Sequence, residues 1–486
     1  MPPHVTNTDI KNEPSLPDHL AAMFMDAAAQ GPPPPLDLIS LLTKMALGAD
    51  LDLAKEATQS LYNKIILPLC DDFTSSSVEV ANKVLINMIL AFCRTSYGKE
   101  TQQILHDLQL TDQQSFLSRY RDLAEPRTLS VEERKKVKKI FILSRITLGA
   151  DIAITSLIIS HCKEALPEAD IYLIGPDHLR HLFYDEQLHH LHFSYDRDGT
   201  LLEKMTAWPR LFKIIAKESK HLAGHEILIF DPDTRLSQLG LLPLTSTSST
   251  YYLCSRQDQE KNASLPEITC AWLQKIFPGN NSSFPQCLIN PDLLAQCRSL
   301  LSKCGSKTLR IFINLGVGND EKKRLSDPFE EELLASLLQT RDTLIILDSG
   351  KGALEEKMAK RLMAKMAKKG YNTAQFSEEQ LARTEISFLH GMVRFTGKID
   401  SVAGLVSNCD LFIGYDSCGQ HLATSTETPS IICFIGAPNK RFLGRWQPSN
   451  HHGKTTTLIV DQNPLSGQKR SELIDKIVIT AARYRS

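Results

Sequence analysis

No CxxC pair occurs anywhere in the chain's 486 residues, although cysteine appears 11 times. Several of these cysteines lie inside apolar runs such as Ile432-Cys433-Phe434, where a reduced thiol behaves as a small hydrophobe. Neither a disulfide scaffold nor a structural zinc module is expected on that pattern. An excess of charge of one sign is also missing. Lys+Arg is 55 against 56 Asp+Glu, a formal net charge of −1. A dedicated nucleic-acid binder usually carries an obvious basic excess, so none is expected here. No stretch is expected to approach the roughly 18–20 apolar residues of a membrane span. Its opening residues, MPPHVTNTDIKNEP, lack the charged-then-apolar layout of a secretory signal. These absences set the expectation of a soluble, cytoplasmic protein with at most peripheral membrane contact. No fixed-period repeat is visible either.

With 42% apolar and 23% charged residues, what is present has the balance of a globular chain. A soft prior of about 150 residues per domain allows about three domains. Residues 1–37 are expected to form a flexible leader, with one helical patch from His19 to Ala29 before Pro32–Pro35. Residues 38–130 carry apolar side chains at spacings of three and four, clearest at Val78–Leu90, and predict an all-α domain. From Val137 the rhythm changes to short apolar strands alternating with helical stretches. The first series is Ile140–Ile146, Asp170–Gly175, Leu191–Tyr195, Glu226–Asp231 and Tyr251–Ser255. The second is Leu309–Leu315, Thr343–Asp348, Tyr371–Phe376, Asp410–Tyr415, Ser430–Ile435 and Thr456–Val460. Such alternation means βαβ units, parallel sheets and right-handed crossovers. The turn-rich Phe277–Ser283 separates two Rossmann-like domains, 138–282 and 283–486. Ligands are expected at the C-terminal ends of their strands, in a shared cleft.

Four segments there can carry chemistry. Leu148-Gly149-Ala150-Asp151 follows the first strand and opens a helix. Asp151 either caps that helix or serves as a general base for an acceptor hydroxyl. The run from Asn314 through Gly316 and Gly318 to Lys322 and Lys323 places glycine amides beside cations. That suits a diphosphate, or is simply a solvated charge run; it is not a Walker A sequence. Asp416-Ser417-Cys418-Gly419-Gln420-His421 leads from a strand into an Ala-containing helix. Asp416 can accept ribose hydroxyls, and the first-turn amides suit phosphate oxygens. Arg441 and Arg445, four apart, can reach an anion or lie on the surface. The basic stretch Lys357–Lys369 is read as an amphipathic helix whose Leu362, Met363 and Met366 face a core. His189-His190 and His451-His452 lack a companion ligand at metal spacing, so no metal site is expected.

Together these segments resemble glycosyltransferase family 9, the ADP-heptose:lipopolysaccharide heptosyltransferases, over about residues 138–465. The likeness rests on Gly149-Ala150-Asp151, on Pro167-Glu168-Ala169-Asp170-Ile171, on Asp416–His421, and on Gly436-Ala437-Pro438. Two places depart from the family pattern. Ala150 stands between the glycine and the aspartate, and Cys418 stands where the family usually has glycine. The resemblance implies a GT-B fold, two Rossmann-like domains facing a cleft, here preceded by the all-α domain. It also implies inverting, metal-independent sugar transfer from a nucleotide-diphosphate sugar to a glycan, lipopolysaccharide or protein acceptor, without a cofactor. In that reading Asp151 is the base, and Lys323 (or Lys322), with Arg441 or Arg445, holds the diphosphate. A binding protein that has lost catalysis, or a nucleotide-sugar epimerase, stays open as an alternative. The helical domain is the expected contact for a partner or a second copy.

Overall fold

The protein is described from a computed structural model, which covers residues 15–31, 34–245, 250–257, 263–281, 283–303, 307–318, 321–325, 327–383, 386, 388, 390–437, 439–449, 453–461 and 464–485. Two compact units emerge. One joins Met1–Pro126 to Ser194–Lys261, and the other joins Arg127–Phe193 to Asn262–Ser486. The helical stretch thus shares a unit with part of what the sequence assigned to the first Rossmann-like domain.

In the first unit, every described element up to Ala124 is helical. The stretch expected as a flexible leader contains a packed helix, Leu16–Gln30, capped by Ser15. Phe24 on that helix is fully buried, and Asp18 pairs with Lys64 at 2.6 Å. The patch expected from His19 to Ala29 lies within it. Helix Ser75–Cys93 is long and apolar enough to cross a membrane by length and composition. It buries Val84, Leu85, Met88, Ile89 and Phe92, as a core helix does. The later segment is tied on by specific bonds. Thr58 Oγ1 accepts from the Leu201 amide at 2.9 Å, and Trp208 Nε1 donates to the Pro243 carbonyl at 2.9 Å. Arg119, 7% exposed, donates to the carbonyls of Gly240 and Leu241.

Twelve strands are described: β1 (Lys139–Leu143), β2 (Asp170–Gly175), β3 (Leu188–His192), β4 (Ile227–Asp231), β5 (Thr250–Tyr252), β6 (Leu309–Asn314), β7 (Thr343–Asp348), β8 (Thr373–Ser377), β9 (Gly391–Thr396), β10 (Leu411–Tyr415), β11 (Ser430–Ile435) and β12 (Thr455–Val460). The first unit holds the parallel pair β4 and β5. The second holds β1 to β3, with β2 paired in parallel to both β1 and β3. It also holds a seven-stranded sheet in the order β12-β11-β10-β6-β7-β9-β8. All of its pairings are parallel. Its core gathers Ile311, Ile313, Ile345, Ile413 and Ile431 with Leu362 and Met366 of helix Ala353–Lys368. The apolar stripe of that basic helix therefore faces the sheet. β9 was missed in the sequence, and β3 lies three residues earlier than expected.

The order of the seven-stranded sheet fixes where a ligand can sit. From β6 the chain moves on to β7 on one side, whereas from β10 it moves on to β11 on the other. The adjacent ends of β6 and β10 are a topological switch point, where the following loops part and leave a crevice.

Candidate functional site

Both loops at this switch point carry sequence-predicted residues. β10 ends at Tyr415, and Asp416 follows in the turn before helix Cys418–Ser425. Lys323 Nζ reaches Asp416 Oδ2 at 2.8 Å, while Gln420 Nε2 donates to Asp416 Oδ1 at 2.7 Å. Asp416 thus holds a lysine at the positive end of a helix. The Lys323 ammonium also lies over the Phe442 ring, 5.4 Å from its centroid. Its neighbour Arg324 makes a buried bidentate pair with Glu330, at 2.7 and 2.6 Å. Tyr415 Oη donates to the same carboxylate at 3.1 Å. The lysine loop is anchored to the end of β10 through that pair.

The glycine loop after β6 works differently from the expectation. The Gly316 amide donates to Asn314 Oδ1 at 3.1 Å, and Asn314 Nδ2 donates to Asp348 Oδ2 at 2.5 Å. Asn314 therefore pins the ends of β6 and β7 together. The Gly318 amide donates to Glu355 Oε1 at 3.3 Å, and the Lys351 amide to Glu355 Oε2 at 2.6 Å. Glu355, which the sequence reading did not single out, thus occupies the amide cradle assigned there to a diphosphate. A Cβ on Gly316 would stand 2.8 Å from the Glu355 carboxylate. Gly318 itself has φ +64°, a left-handed conformation that favours glycine. Burial pushes the Asp348 carboxyl up to about 6, with the Glu355 charge adding to the effect.

Lys322 and Arg441 are exposed. Arg445 is buried, 4% exposed, and donates to the Ala263 carbonyl at 2.6 Å. That tie makes it a structural anchor instead of the diphosphate contact expected of it. Pro438 and His451-His452 lie outside the described residues. Ser417 caps helix Cys418–Ser425 by accepting from the Gly419 amide at 3.4 Å. Burial pushes the Cys418 thiol up to about 11, so it is neutral. Gly419 is required by packing, because a Cβ there would stand 2.7 Å from the Phe412 ring.

His421 is 6% exposed and packs edge-on against Trp446, with centroids 5.6 Å apart. Burial lowers its pKa to about 4; the Asp416 charge opposes this and Lys323 reinforces it. The imidazole is therefore neutral near pH 7 and is not a cation for phosphate. A group whose folded pKa is depressed below its unfolded value of about 6.5 binds fewer protons when folded. Its contribution to stability is complete above pH 6.5 and is lost as the pH falls through about 4. The full contribution is about 3 kcal/mol. Urea unfolding of the wild type and of His421→Gln at pH 7 and pH 4.5 is expected to show the wild type losing stability relative to the variant on acidification. A gap between the two that did not change with pH would contradict a buried neutral imidazole.

The turn after β1 meets this helix directly. A Cβ on Gly149 would lie 2.8 Å from His421 Cδ2 and 3.3 Å from Cys418 Cα. Gly149→Ala therefore overpacks the contact, with an expected loss of about 1–3 kcal/mol in chemical unfolding. An unchanged midpoint would refute the contact. Ala150 closes the short helix Leu148–Ala150, and a turn of π-helix, Asp151–Thr155, follows it, a form that recurs at functional sites.

Asp151 itself is fully buried. Its Oδ1 accepts from the Arg145 amide and Thr155 Oγ1, each at 2.8 Å. Its Oδ2 accepts from Ser144 Oγ at 2.7 Å and faces His178 Nε2 at 2.9 Å. Both oxygens thus have two partners, which uses the carboxylate's accepting capacity. An acceptor hydroxyl has no open lone pair to approach, so the geometry does not offer Asp151 as the direct base expected from its position after β1. The carboxylate instead closes the turn Ser144-Arg145-Ile146. Ser144 Oγ also accepts from the Ile146 amide at 2.7 Å. Ile146 has φ +71°, a strained conformation for a β-branched residue.

No family model matches the sequence, and no curated protein matches it. Among solved structures, the chain is similar to a glycosyl transferase of family 9 from Veillonella parvula DSM 2008. The identity is 14%, the match covers 71% of this chain and 96% of that one, and the TM-score is 0.48. It is also similar to E. coli ADP-heptose LPS heptosyltransferase II, at 14% identity over 72% of this chain and 100% of that one, with a TM-score of 0.46. UDP-GlcNAc 2-epimerase from Methanocaldococcus jannaschii matches at 13% identity over 72% of this chain and 93% of that one, with a TM-score of 0.36.

Proposed function

We propose that the protein is a glycosyltransferase that moves a sugar from a nucleotide-diphosphate donor to an acceptor hydroxyl. The observation that carries this reading is the convergence of Lys323 and the N-terminal end of helix Cys418–Ser425 at the β6/β10 switch point, opposite the turn after β1. A cation fixed by a carboxylate at a helix N-terminus suits the charge that develops on a departing diphosphate. Asp416, at the strand end, is the carboxylate for donor hydroxyls. The motif resemblance to family 9 supports the same assignment. The glycan, lipopolysaccharide or protein acceptor enters from the β1 and β2 side.

The test is to incubate the protein with ADP-, GDP- and UDP-sugars, with and without glycan and lipopolysaccharide acceptors. Release of nucleoside diphosphate coupled to a glycosylated product is expected with at least one donor. An epimerised sugar, or tight binding without release from any donor, would overturn the reading in favour of an epimerase or a binding protein.

A further inference from the structure

Asp151 has its lone pairs occupied, yet one of its four partners is a titratable side chain that reaches solvent. His178 opens helix His178–Leu182, which follows the C-terminal end of β2. Its Nε2 lies 2.9 Å from Asp151 Oδ2, and its side chain is 19% exposed where Asp151 is 0% exposed. An imidazole whose Nε2–H is donated to a buried carboxylate carries its lone pair on Nδ1, the nitrogen directed away from that carboxylate.

Contacts of its neighbours on both flanks fix where His178 stands. On one flank, the turn at Gly149 touches His421 and Cys418 at the donor loop. On the other, His181, three residues on from His178, meets Asp400 of helix Ile399–Val406 at 2.9 Å. His178 therefore lies at strand ends between two places where the β1–β3 layer contacts elements of the seven-stranded domain. Its orientation is fixed by a hub that cannot swing, since Asp151 is held by Ser144, Arg145 and Thr155 as well.

We infer that His178 is the proton acceptor of the transfer step and that Asp151 is its positioning residue; this rests on the glycosyltransferase reading above. The acceptor hydroxyl gives its proton to His178 Nδ1 as its oxygen bonds to the anomeric carbon. The bond from that carbon to the diphosphate oxygen breaks, and its electron pair leaves on the nucleoside diphosphate beside Lys323. Asp151 holds the ring through its Nε2 contact as the proton arrives on Nδ1. The division of labour explains why the carboxylate of Asp151 is sealed from solvent: it serves the imidazole and the strained turn, not the substrate.

The experiment compares wild type, His178→Ala, His178→Gln and the double variant His178→Ala/Asp151→Asn, using the donor and acceptor that the wild type turns over. Both His178 variants are expected to lose about 10²- to 10⁴-fold in kcat, with the donor Kd changed less than about threefold. Added imidazole should restore His178→Ala at least about tenfold. The double variant should be about as slow as His178→Ala alone, because the two residues act as one unit. Retained donor affinity serves as the control for folding. A His178→Ala or His178→Gln variant that binds donor normally and keeps kcat within about threefold of wild type would overturn the assignment while leaving glycosyl transfer intact. Wild-type protein that turns over no donor would instead defeat the glycosyltransferase reading, and this assignment with it.

Discussion

Replacing Lys323 with alanine is expected to lower kcat/KM for the nucleotide-sugar donor by about 10²- to 10³-fold, the scale of losing one preorganised group from a developing charge. The side chain is 28% exposed, enough to meet a ligand. It is held in place by Asp416 and by the face of Phe442. A charge-assisted hydrogen bond of this kind contributes about 1.5–3 kcal/mol in the ground state. Part of the loss therefore falls on KM and the rest on kcat, since the phosphate charge grows as the sugar leaves. Lys323→Arg keeps the charge but not the compact ammonium geometry, and it should recover only a fraction. Steady-state kinetics on both variants decides the matter. Equal losses for Lys322→Ala and Lys323→Ala would mean that the loop acts by general charge and not through the residue fixed on Asp416.

Glu330→Ala is expected to reduce stability by about 3–5 kcal/mol, the usual cost of leaving one partner of a buried ion pair behind. Glu330 is 0% exposed and Arg324 is 7% exposed. The carboxylate also accepts from Tyr415, so its removal strips three donors at once. Denaturant unfolding gives the size of the loss. Removing both charges together, in Arg324→Met/Glu330→Leu, should be much milder, because no unpaired charge is left in the core. A double replacement as damaging as Glu330→Ala would show that packing at this point, not charge pairing, sets the stability. The same pair adjoins the site in the chain: Arg324, the residue after Lys323, ties that backbone to Glu330.

Much of the fold is written in local pattern. The apolar runs of β2, β7 and β11 have the bounds that alternation with helices suggests. β9 was lost because Arg394 interrupts its apolar run. The structure buries that arginine at 8% exposure and gives its two terminal nitrogens Ser349 and Gln375 as partners, each at 2.8 Å. β3 is misplaced because Leu188-His189-His190-Leu191-His192 is histidine-rich instead of apolar. The leader helix hides its packing in four side chains, Pro17, Leu20, Ala21 and Phe24, too few to set a strong period.

The site divides in the same way. Asp416, Lys323 and Gly149 are legible because a strand end followed by a turn and a helix leaves a local signature. The meaning of Asp151 is not local. It depends on Ser144 seven residues before it, Thr155 four residues after it and His178 twenty-seven residues on. Spacing gives no sign that these donors close around one carboxylate. Glu355 was missed for a related reason, since only the fold brings helix Ala353–Lys368 to the amide of Gly318.

The most direct measurement is a crystal structure of the protein with a bound nucleoside diphosphate. The diphosphate is expected at the β6/β10 switch point, within hydrogen-bond reach of Lys323 and against the first turn of helix Cys418–Ser425, with His178 across the crevice. A nucleotide bound elsewhere, or one at this place whose phosphates do not touch Lys323, would contradict the assignment of this crevice as a donor site.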